Sequence, residues 1–467
     1  MNIKTRFAPS PTGNLHIGGV RTAILSWLIA QKNQGEFLLR IEDTDKERSK
    51  PEFVQDIMNG LDWLGIKVNN QKNIPYQTQR FERYQKVAEE LVKNGLAYYC
   101  YCSNEELQQK REEYKEKTGH DGWKYDRKWR DSKEIPPIGV KPSIRLKVPL
   151  DGSVVWKDLI KGGIEIQNQQ LDDFIIIRSD GIPTYNFCVV VDDVDMEISH
   201  VIRGEDHINN TPKQIHIYKA LQKEIPIFGH VPLILNMDGS KQSKRVNQNE
   251  KMDDDEILPM TSLNYYQRKG FLPEAMVNYL LLISCNHIEK EIFTKEEFVK
   301  MFDLNKLGNT PIKFDLNKLI WINQQYLKNI SDEKFLAIAK EKNDWLKDKN
   351  VLILKNAILQ RSKTLLDIDR FFKPLENPNF ENIENNLMVK EFFQELIHIN
   401  LWTPENILQK AQEFCENKNI KMKELMNPIR LNILNGNVLP IQEVLVFYGK
   451  EELEKKIQIK SMNKLKK

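Results

Sequence analysis

The stretch Arg6-Phe7-Ala8-Pro9-Ser10-Pro11-Thr12-Gly13-Asn14-Leu15-His16-Ile17-Gly18-Gly19 lies near the start of the 467-residue chain, and its reading decides the fold. Residues 3–8 suit a short strand, which the Pro9-Ser10-Pro11-Thr12-Gly13 run breaks. A helix is expected over 17–32, because Val20, Ala23, Ile24, Trp27 and Leu28 fall at the i, i+3, i+4, i+7, i+8 spacing of one helical face. Gly35 makes a good stop. Residues 37–41 then suit a second, buried strand. Strand, helix and strand within about forty residues is a right-handed βαβ unit with parallel strands, so the fold class is α/β. Such units bind ligands at the carboxyl ends of their strands. Two polar clusters sit there, residues 10–19 and Glu42-Asp43-Thr44-Asp45.

Further along, residues 50–95 read as helical. From about 97 to 171 polar and aromatic residues mix, Pro136-Pro137 breaks the chain, and residues 143–148 alternate like a strand. This is the signature of an insertion. Buried strand patterns return at 187–191 and 231–235, and after Phe271 the chain reads as helix almost to its end. Residues 374–386, rich in Asn and carrying two prolines, suit a linker between helical modules. The acidic run Asp253-Asp254-Asp255-Glu256 suits a solvated loop.

Composition sets outer limits. The length suits about three domains. Lys+Arg is 69 against 66 Asp+Glu, a net charge of +3 that excludes a histone-like protein bound by bulk positive charge. An RNA partner stays open, because a near-neutral chain can carry a basic face. Residues 1–12 hold no apolar secretory core, and the densest apolar runs, 187–191 and 279–285, are far shorter than a membrane span. No membrane association is expected. Five cysteines are too few, and odd in number, for a disulfide framework, and a reducing cytoplasm is the natural compartment.

Two motifs carry chemistry. Leu15-His16-Ile17-Gly18-Gly19 starts the first helix, where free N–H groups and the dipole favour anions. Its glycines let a flat base or a phosphate approach the backbone, and His16 can donate to a phosphate oxygen as charge develops. On its own the motif reads first as a histidine capping a helix. The second motif is Gly239-Ser240-Lys241-Gln242-Ser243-Lys244-Arg245, after a predicted strand. Two ammonium groups three residues apart suit a pyrophosphate, although alone they read first as a solvated loop. No Walker loop or dinucleotide glycine fingerprint is present, which argues against GTPase, kinase and dehydrogenase readings.

Together the two motifs resemble the bacterial-type glutamyl-tRNA synthetases, in the glutamyl/glutaminyl branch of class I aminoacyl-tRNA synthetases. Residues 6–19 look like the family's HIGH region and Lys241–Arg245 like its KMSKS-type loop. Arg40-Ile41-Glu42-Asp43-Thr44-Asp45, Pro183-Thr184-Tyr185-Asn186-Phe187, Val201-Ile202-Arg203-Gly204-Glu205-Asp206-His207 and Trp321-Ile322-Asn323-Gln324-Gln325-Tyr326 extend the likeness over nearly the whole chain. The resemblance implies a Rossmann-like catalytic domain with an α+β acceptor-binding insertion, followed by an all-α anticodon-binding half. The implied division is 1–96 and 183–240 for the catalytic halves and 97–182 for the insertion. Residues 241–320 follow as lysine loop and stem-contact domain, with helical anticodon subdomains at 321–376 and 377–467.

The implied activity is ATP-dependent glutamate–tRNA ligation, with Mg2+-bound ATP as substrate, L-glutamate and tRNA(Glu) as partners, no DNA, and a monomer. His16, Lys241 and Lys244 are the expected catalytic residues, and ATP is expected at His16, Gly18, Gly19, Glu205, Lys241, Ser243 and Lys244. For glutamate the chemistry agrees with the family. Two carboxylates call for guanidinium forks, here Arg6 and Arg203 on predicted strands that converge, and the ammonium calls for Glu42. Ser10 and Tyr185 add hydroxyls, and a structural ion pair is the plainer role for each arginine. The family also implies Asp43, Thr44, Asp45 and Arg48 as contacts of the tRNA acceptor end, against a capped, charged helix start at 45–48. Arg361, Lys363 and Arg430 are candidate anticodon contacts, with Trp321 and Phe371 read as core aromatics.

The chain departs from the family pattern in places. Cys100-Tyr101-Cys102 suggests zinc, but Trp129 stands where a third Cys is expected and Asp131 where a His can occur, so zinc is not expected even with His120 nearby. Gln242 replaces Met or Leu in the lysine loop, Val246-Asn247-Gln248 replaces His-Gly-Ala, and about a dozen extra residues precede Tyr265-Tyr266. Three rivals are weighed. A truncated synthetase that modifies a tRNA base is too short, glutaminyl relatives carry β-barrels in the second half, and a catalytically dead paralogue is at odds with intact His16, Lys241 and Lys244.

Overall fold

The computed structural model describes residues 2–240, 249–251, 257–285, 288–341, 343–379, 386–432 and 434–455. The chain forms two compact units, one of Met1–Tyr265 with Val277–Asp315, the other of Tyr266–Met276 with Leu316–Lys467.

The first unit begins with β1 (Lys4–Phe7), α1 (Ile17–Lys32) and β2 (Glu36–Leu39), the expected βαβ unit. Helix α1 matches its expected bounds because Ile17, Val20, Ala23, Ile24, Leu25 and Leu28 are all buried on the sheet. The stop works differently from the expected glycine turn. Gln34 takes the left-handed conformation, with φ 53°. Gly35 is needed for close approach, since a Cβ there would lie 2.1 Å from the Ile3 carbonyl oxygen.

The chain continues through α2 (Pro51–Trp63) and α3 (Phe81–Lys93) into the insertion. There β3 (Ala97–Cys100), α4 (Asn104–Thr118), β4 (Ser143–Leu146), β5 (Ser153–Asp158), β6 (Gly162–Gln167) and β7 (Ile175–Ile177) form an antiparallel β3-β4-β7 sheet and a β5-β6 hairpin. Then come α5 (Tyr185–Asp195), β8 (His200–Gly204), α6 (Thr211–Ala220), β9 (Ile227–Val231) and the short β10 (Ile234–Leu235). The central sheet is parallel, in the order β2-β1-β8-β9. Crossing from β1 to both β2 and β8 puts the end of β1 at a switch of strand order, where a crevice forms.

The strand expected at 187–191 is instead the middle of helix α5. Phe187, Cys188, Val189, Val190 and Val191 are buried on every side, and a short apolar run buried all round looks the same in either conformation. The strand expected at 231–235 is split: β9 ends at Val231, and Pro232 separates it from β10.

The second unit is helical throughout its described length, from Leu316–Lys328 to Ile441–Tyr448. Its core is aromatic, with Phe372 6.4 Å from both Phe335 and Phe447, and Phe392 5.4 Å from Phe414. Buried Asn323 ties two segments together, accepting from the Leu272 N–H at 2.8 Å and donating to the Lys363 carbonyl at 2.7 Å. Two expectations change here. Trp321 is not a core residue, being 37% exposed with the Lys318 ammonium 4.3 Å from its ring centre. Pro374 lies inside the helix Leu365–Glu376 rather than opening a linker, and residues 380–385 are outside the described ones. The acidic run 253–256 is likewise outside them. Among the described residues no helix is long and apolar enough to cross a membrane.

Candidate active site

A cleft of about 640 Å³ opens at the carboxyl ends of β1 and β8 and the amino end of α1. Arg6, Ser10, His16, Gly18, Gly19, Glu42, Tyr185 and Arg203 all line it, so residues far apart in sequence meet on one surface.

His16 is the N-cap of α1, and its Nδ1 accepts the Gly18 N–H at 2.9 Å. The expected cap is therefore real, and it has a chemical consequence. A neutral imidazole that accepts at Nδ1 carries its proton at Nε2. Backbone bonds from Ile17 N–H to the Thr261 carbonyl and from Leu263 N–H to the Leu15 carbonyl, both 2.8 Å, fix the loop before the helix. Asp56 adds a bond to the Leu15 N–H at 2.7 Å.

Beneath the cleft lies a buried charge network. Arg40, with no exposure, donates from Nη1 to Asp193 at 2.6 Å and from Nη2 to Glu42 at 3.0 Å, and its Nε is 3.4 Å from Asp192. Arg6 donates from Nε to Asp193 at 3.2 Å. Asp192 also accepts from the Tyr84 hydroxyl, Arg80 and Gln77 at 2.8–2.9 Å. Burial pushes the Glu42 carboxyl up, against the pull of Arg40 and Arg6. Burial would raise Asp193 too, but the Arg6 and Arg40 guanidinium groups outweigh it and hold that carboxyl below its usual range. The plainer reading of Arg6, a structural ion pair, thus holds for one edge of a residue that also lines the cleft.

Arg203 is held differently. Its donors go to His230 Nε2 at 3.1 Å, Gln214 Oε1 at 2.8 Å and Thr211 Oγ1 at 2.9 Å, and its guanidinium lies over the Phe228 ring. The Tyr185 hydroxyl is 3.2 Å from His207 Nδ1. Arg21 also lines the cleft, donating to the Pro232 carbonyl at 2.7 Å and Ser284 Oγ at 2.8 Å; burial pushes its guanidinium down to about 10, so it stays charged at neutral pH.

Residues 2–321 match the family model described as tRNA synthetases class I (E and Q), catalytic domain, and residues 324–460 match an anticodon binding domain. The chain belongs to the class I tRNA synthetases of the E and Q branch. A Neisseria meningitidis protein named glutamate–tRNA ligase is 44% identical over 98% of this synthetase and 100% of its own length. A Chromobacterium violaceum protein of the same name is 42% identical over the same shares. The crystal structure of a glutamate–tRNA ligase from Elizabethkingia meningosepticum, in complex with its amino acid, superposes with a TM-score of 0.83. It is 29% identical, covering 98% of this synthetase and 99% of that chain.

Other predicted residues of the synthetase are held by partners of their own. Glu205 sits at the cleft's edge, between the lining residues Gly204 and Asp206; it accepts the N–H of Leu233, another lining residue, at 3.0 Å and pairs with Lys161 at 2.5 Å. Asp43 accepts from the Thr78 backbone at 2.9 Å and from the Thr78 hydroxyl at 2.5 Å. Asp45 pairs with Arg48, but no capped helix starts there: α2 begins at Pro51, and its N-cap Lys50 makes no side-chain cap bond. Thr44 sits in the same loop. Lys241, Ser243 and Lys244 lie outside the described residues. Arg361 and Lys363 are exposed, whereas Arg430 is half-buried and donates to the carbonyls of Asn437 and Leu439.

The zinc question can be put to the geometry. The Tyr125 hydroxyl stands between the two thiols, 3.4 Å from Cys100 Sγ and 3.9 Å from Cys102 Sγ, and it also accepts the Trp129 N–H at 3.1 Å. Asp131 faces Lys147 at 3.0 Å, and His120 is exposed. Two thiols around a phenol do not make a tetrahedral zinc set, and these residues do not fit the metal.

Arg21, which lines the cleft, was missed, as were Arg40, Asp193 and His230, which contact the lining residues Glu42, Arg6 and Arg203, and Asp192, which faces Arg40. The signal for the aspartates was available: two acids closing an apolar run call for buried cations.

Proposed function

We propose that this synthetase is a glutamate–tRNA ligase that activates L-glutamate with Mg2+-bound ATP and esterifies the terminal adenosine of tRNA(Glu). The observation that carries the reading is the pair of guanidinium groups, Arg6 and Arg203, at the ends of β1 and β8 in one cleft with the His16-capped start of α1. Glutamate brings two carboxylates and an ammonium. Arg6 and Arg203 take the carboxylates, Glu42 accepts from the ammonium, and Ser10 and Tyr185 add hydroxyl contacts.

In the first step a glutamate carboxylate oxygen bonds to the α-phosphorus and pyrophosphate leaves. In the second a ribose hydroxyl of tRNA, the 2′ one by analogy with class I, attacks the acyl carbon and AMP leaves. Neither step needs a protein nucleophile; orientation and charge stabilisation carry both. The His16 Nε2 proton is oriented by the Gly18 bond for donation to a phosphate oxygen. Gly18 and Gly19 give the nucleotide room, and Lys241, Ser243 and Lys244 act on its phosphates. Glu205 takes the ribose once it is exchanged away from Lys161. Asp43, Thr44, Asp45 and Arg48 hold the acceptor end, and the second unit reads the anticodon. The enzyme works as a cytoplasmic monomer without zinc. The division at 96/97, 182/183, 240/241, 320/321 and 376/377 is part of the same proposal.

Glutamate-dependent ATP–pyrophosphate exchange, measured with and without tRNA(Glu), tests the reading. Exchange with glutamate and none with glutamine or aspartate is expected; equal exchange with glutamine would overturn the pocket assignment.

A further inference from the structure

Asp158 ends the first strand of the β5-β6 hairpin, inside the insertion, yet it is buried against the central sheet. Its Oδ1 accepts three amides, those of Ile160 and Lys161 at 3.0 Å and His230 at 3.1 Å. Its Oδ2 lies 2.5 Å from His230 Nδ1. Burial would raise this carboxyl, but the His230 bond and the amides outweigh it and keep it ionised. An ionised carboxylate only accepts, so His230 carries a proton at Nδ1. Burial pushes the imidazole down, with Asp158 pulling the other way, so the ring stays neutral and Nε2 keeps its lone pair. That lone pair accepts the Arg203 Nε–H at 3.1 Å, with the Thr211 hydroxyl oxygen also 3.2 Å from His230 Nε2.

The partners of Arg203 are otherwise neutral: Gln214, Thr211 and the Phe228 face. Among the described residues no ion pair to Arg203 is present. A carboxylate in place of His230 would fix the same edge but would cancel the charge. A neutral imidazole fixes the edge and leaves the positive charge for a ligand. The ring of His230 also stacks on Phe228 (centroids 6.1 Å apart, planes at 10°), so one aromatic plate aligns both imidazole and guanidinium.

We propose that Asp158 and His230 form a positioning pair that sets the imidazole tautomer, and through it the orientation of Arg203, for binding a glutamate carboxylate. This rests on the reading that Arg203 contacts glutamate. The decisive variant is D158N. An asparagine keeps the amide-accepting oxygen but presents NH2 to His230. Nδ1 must then accept and the proton moves to Nε2, where it can reach only the Thr211 hydroxyl oxygen, and Nε2 no longer accepts from the Arg203 Nε–H.

The test measures the Michaelis constants for glutamate and ATP, with tRNA(Glu) present, for D158N, H230L, H230Q, R203K and the double variant H230L/R203K. D158N and H230L are expected to raise the glutamate constant about 10- to 100-fold with the ATP constant within about 3-fold. H230Q, which can both donate to Asp158 and accept from Arg203, should recover most of the loss. In the R203K background H230L should add less than about 3-fold, since its effect runs through Arg203. An unchanged glutamate constant in H230L, a parallel rise for ATP, or multiplying effects in the double variant would overturn the pairing while leaving Arg203 in place. An unchanged constant in R203K would overturn the contact itself, and the pairing with it. Should D158N fail to fold, the H230L and H230Q comparison decides alone.

Discussion

Replacing Arg40 with methionine removes the centre of the buried network while keeping an unbranched side chain in its place. Three carboxylates, Glu42, Asp192 and Asp193, lie within 3.4 Å of the guanidinium. Arg80 still faces Asp192 at 2.8 Å and Arg6 still faces Asp193 at 3.2 Å, but Glu42 loses the guanidinium that donates to it. Removing one partner of a buried ion pair costs about 3–5 kcal/mol, because the remaining charge is neither solvated nor matched. At about 2.1 cal/mol/K per residue, a unit of roughly 300 residues shifts by about 1.5 °C per kcal/mol, so the melting temperature falls by roughly 5–8 °C. Differential scanning calorimetry at pH 7.5 measures it. Adding D193N to R40M restores the charge count and should recover about 1 kcal/mol or more of the loss. An R40M protein melting within about 2 °C of the parent, or a D193N effect that is equal in both backgrounds, would refute the charge-balance reasoning.

Three other outcomes are expected. H16N keeps an N-cap acceptor for the Gly18 N–H but loses the imidazole donor, so the melting temperature should hold while the rate of adenylate formation falls about 100- to 1,000-fold. K244A should lower that rate more than it raises the glutamate Michaelis constant, and an unchanged single-turnover rate would remove Lys244 from the mechanism. The third concerns acid. The Asp193 carboxyl, held below its usual range by Arg6 and Arg40 against the opposing effect of burial, stabilises the fold fully above the unfolded value of about 3.9. That contribution is lost as pH falls through the lower folded value. The stability gap between the parent and D193N should therefore narrow below about pH 3.9 in an acid titration followed by circular dichroism, and a constant gap down to pH 2 would contradict it.

Much of the site was legible because its parts are local. A broken strand, a glycine-rich helix start and a one-faced apolar repeat are each encoded within a few residues, and α1 took its expected bounds. The convergence of Arg6 and Arg203 followed from placing both at strand ends, since parallel strands bring their carboxyl ends together. What was not legible depends on partners distant in sequence. The 187–191 run became helix because burial on all sides erases the periodic signal. Glu205 reads as an ATP contact with no sign that Lys161 reaches it, and nothing local to Asp158 points to His230 beside it. Arg40 sits between apolar strand residues and looks out of place until Asp192 and Asp193 arrive from α5. Such pairings are set by tertiary packing, and no local spacing reports them.

The central claim is that this cleft joins glutamate to tRNA. The most direct measurement incubates the purified full-length protein with radiolabelled glutamate, ATP, Mg2+ and tRNA(Glu), then assays acid-precipitable label on the RNA. The account predicts ATP-dependent attachment, released by mild alkali as an ester is, and abolished when the terminal adenosine of the tRNA is removed. Attachment that survives alkali, persists without the terminal adenosine, or fails to occur in the presence of all substrates would contradict it.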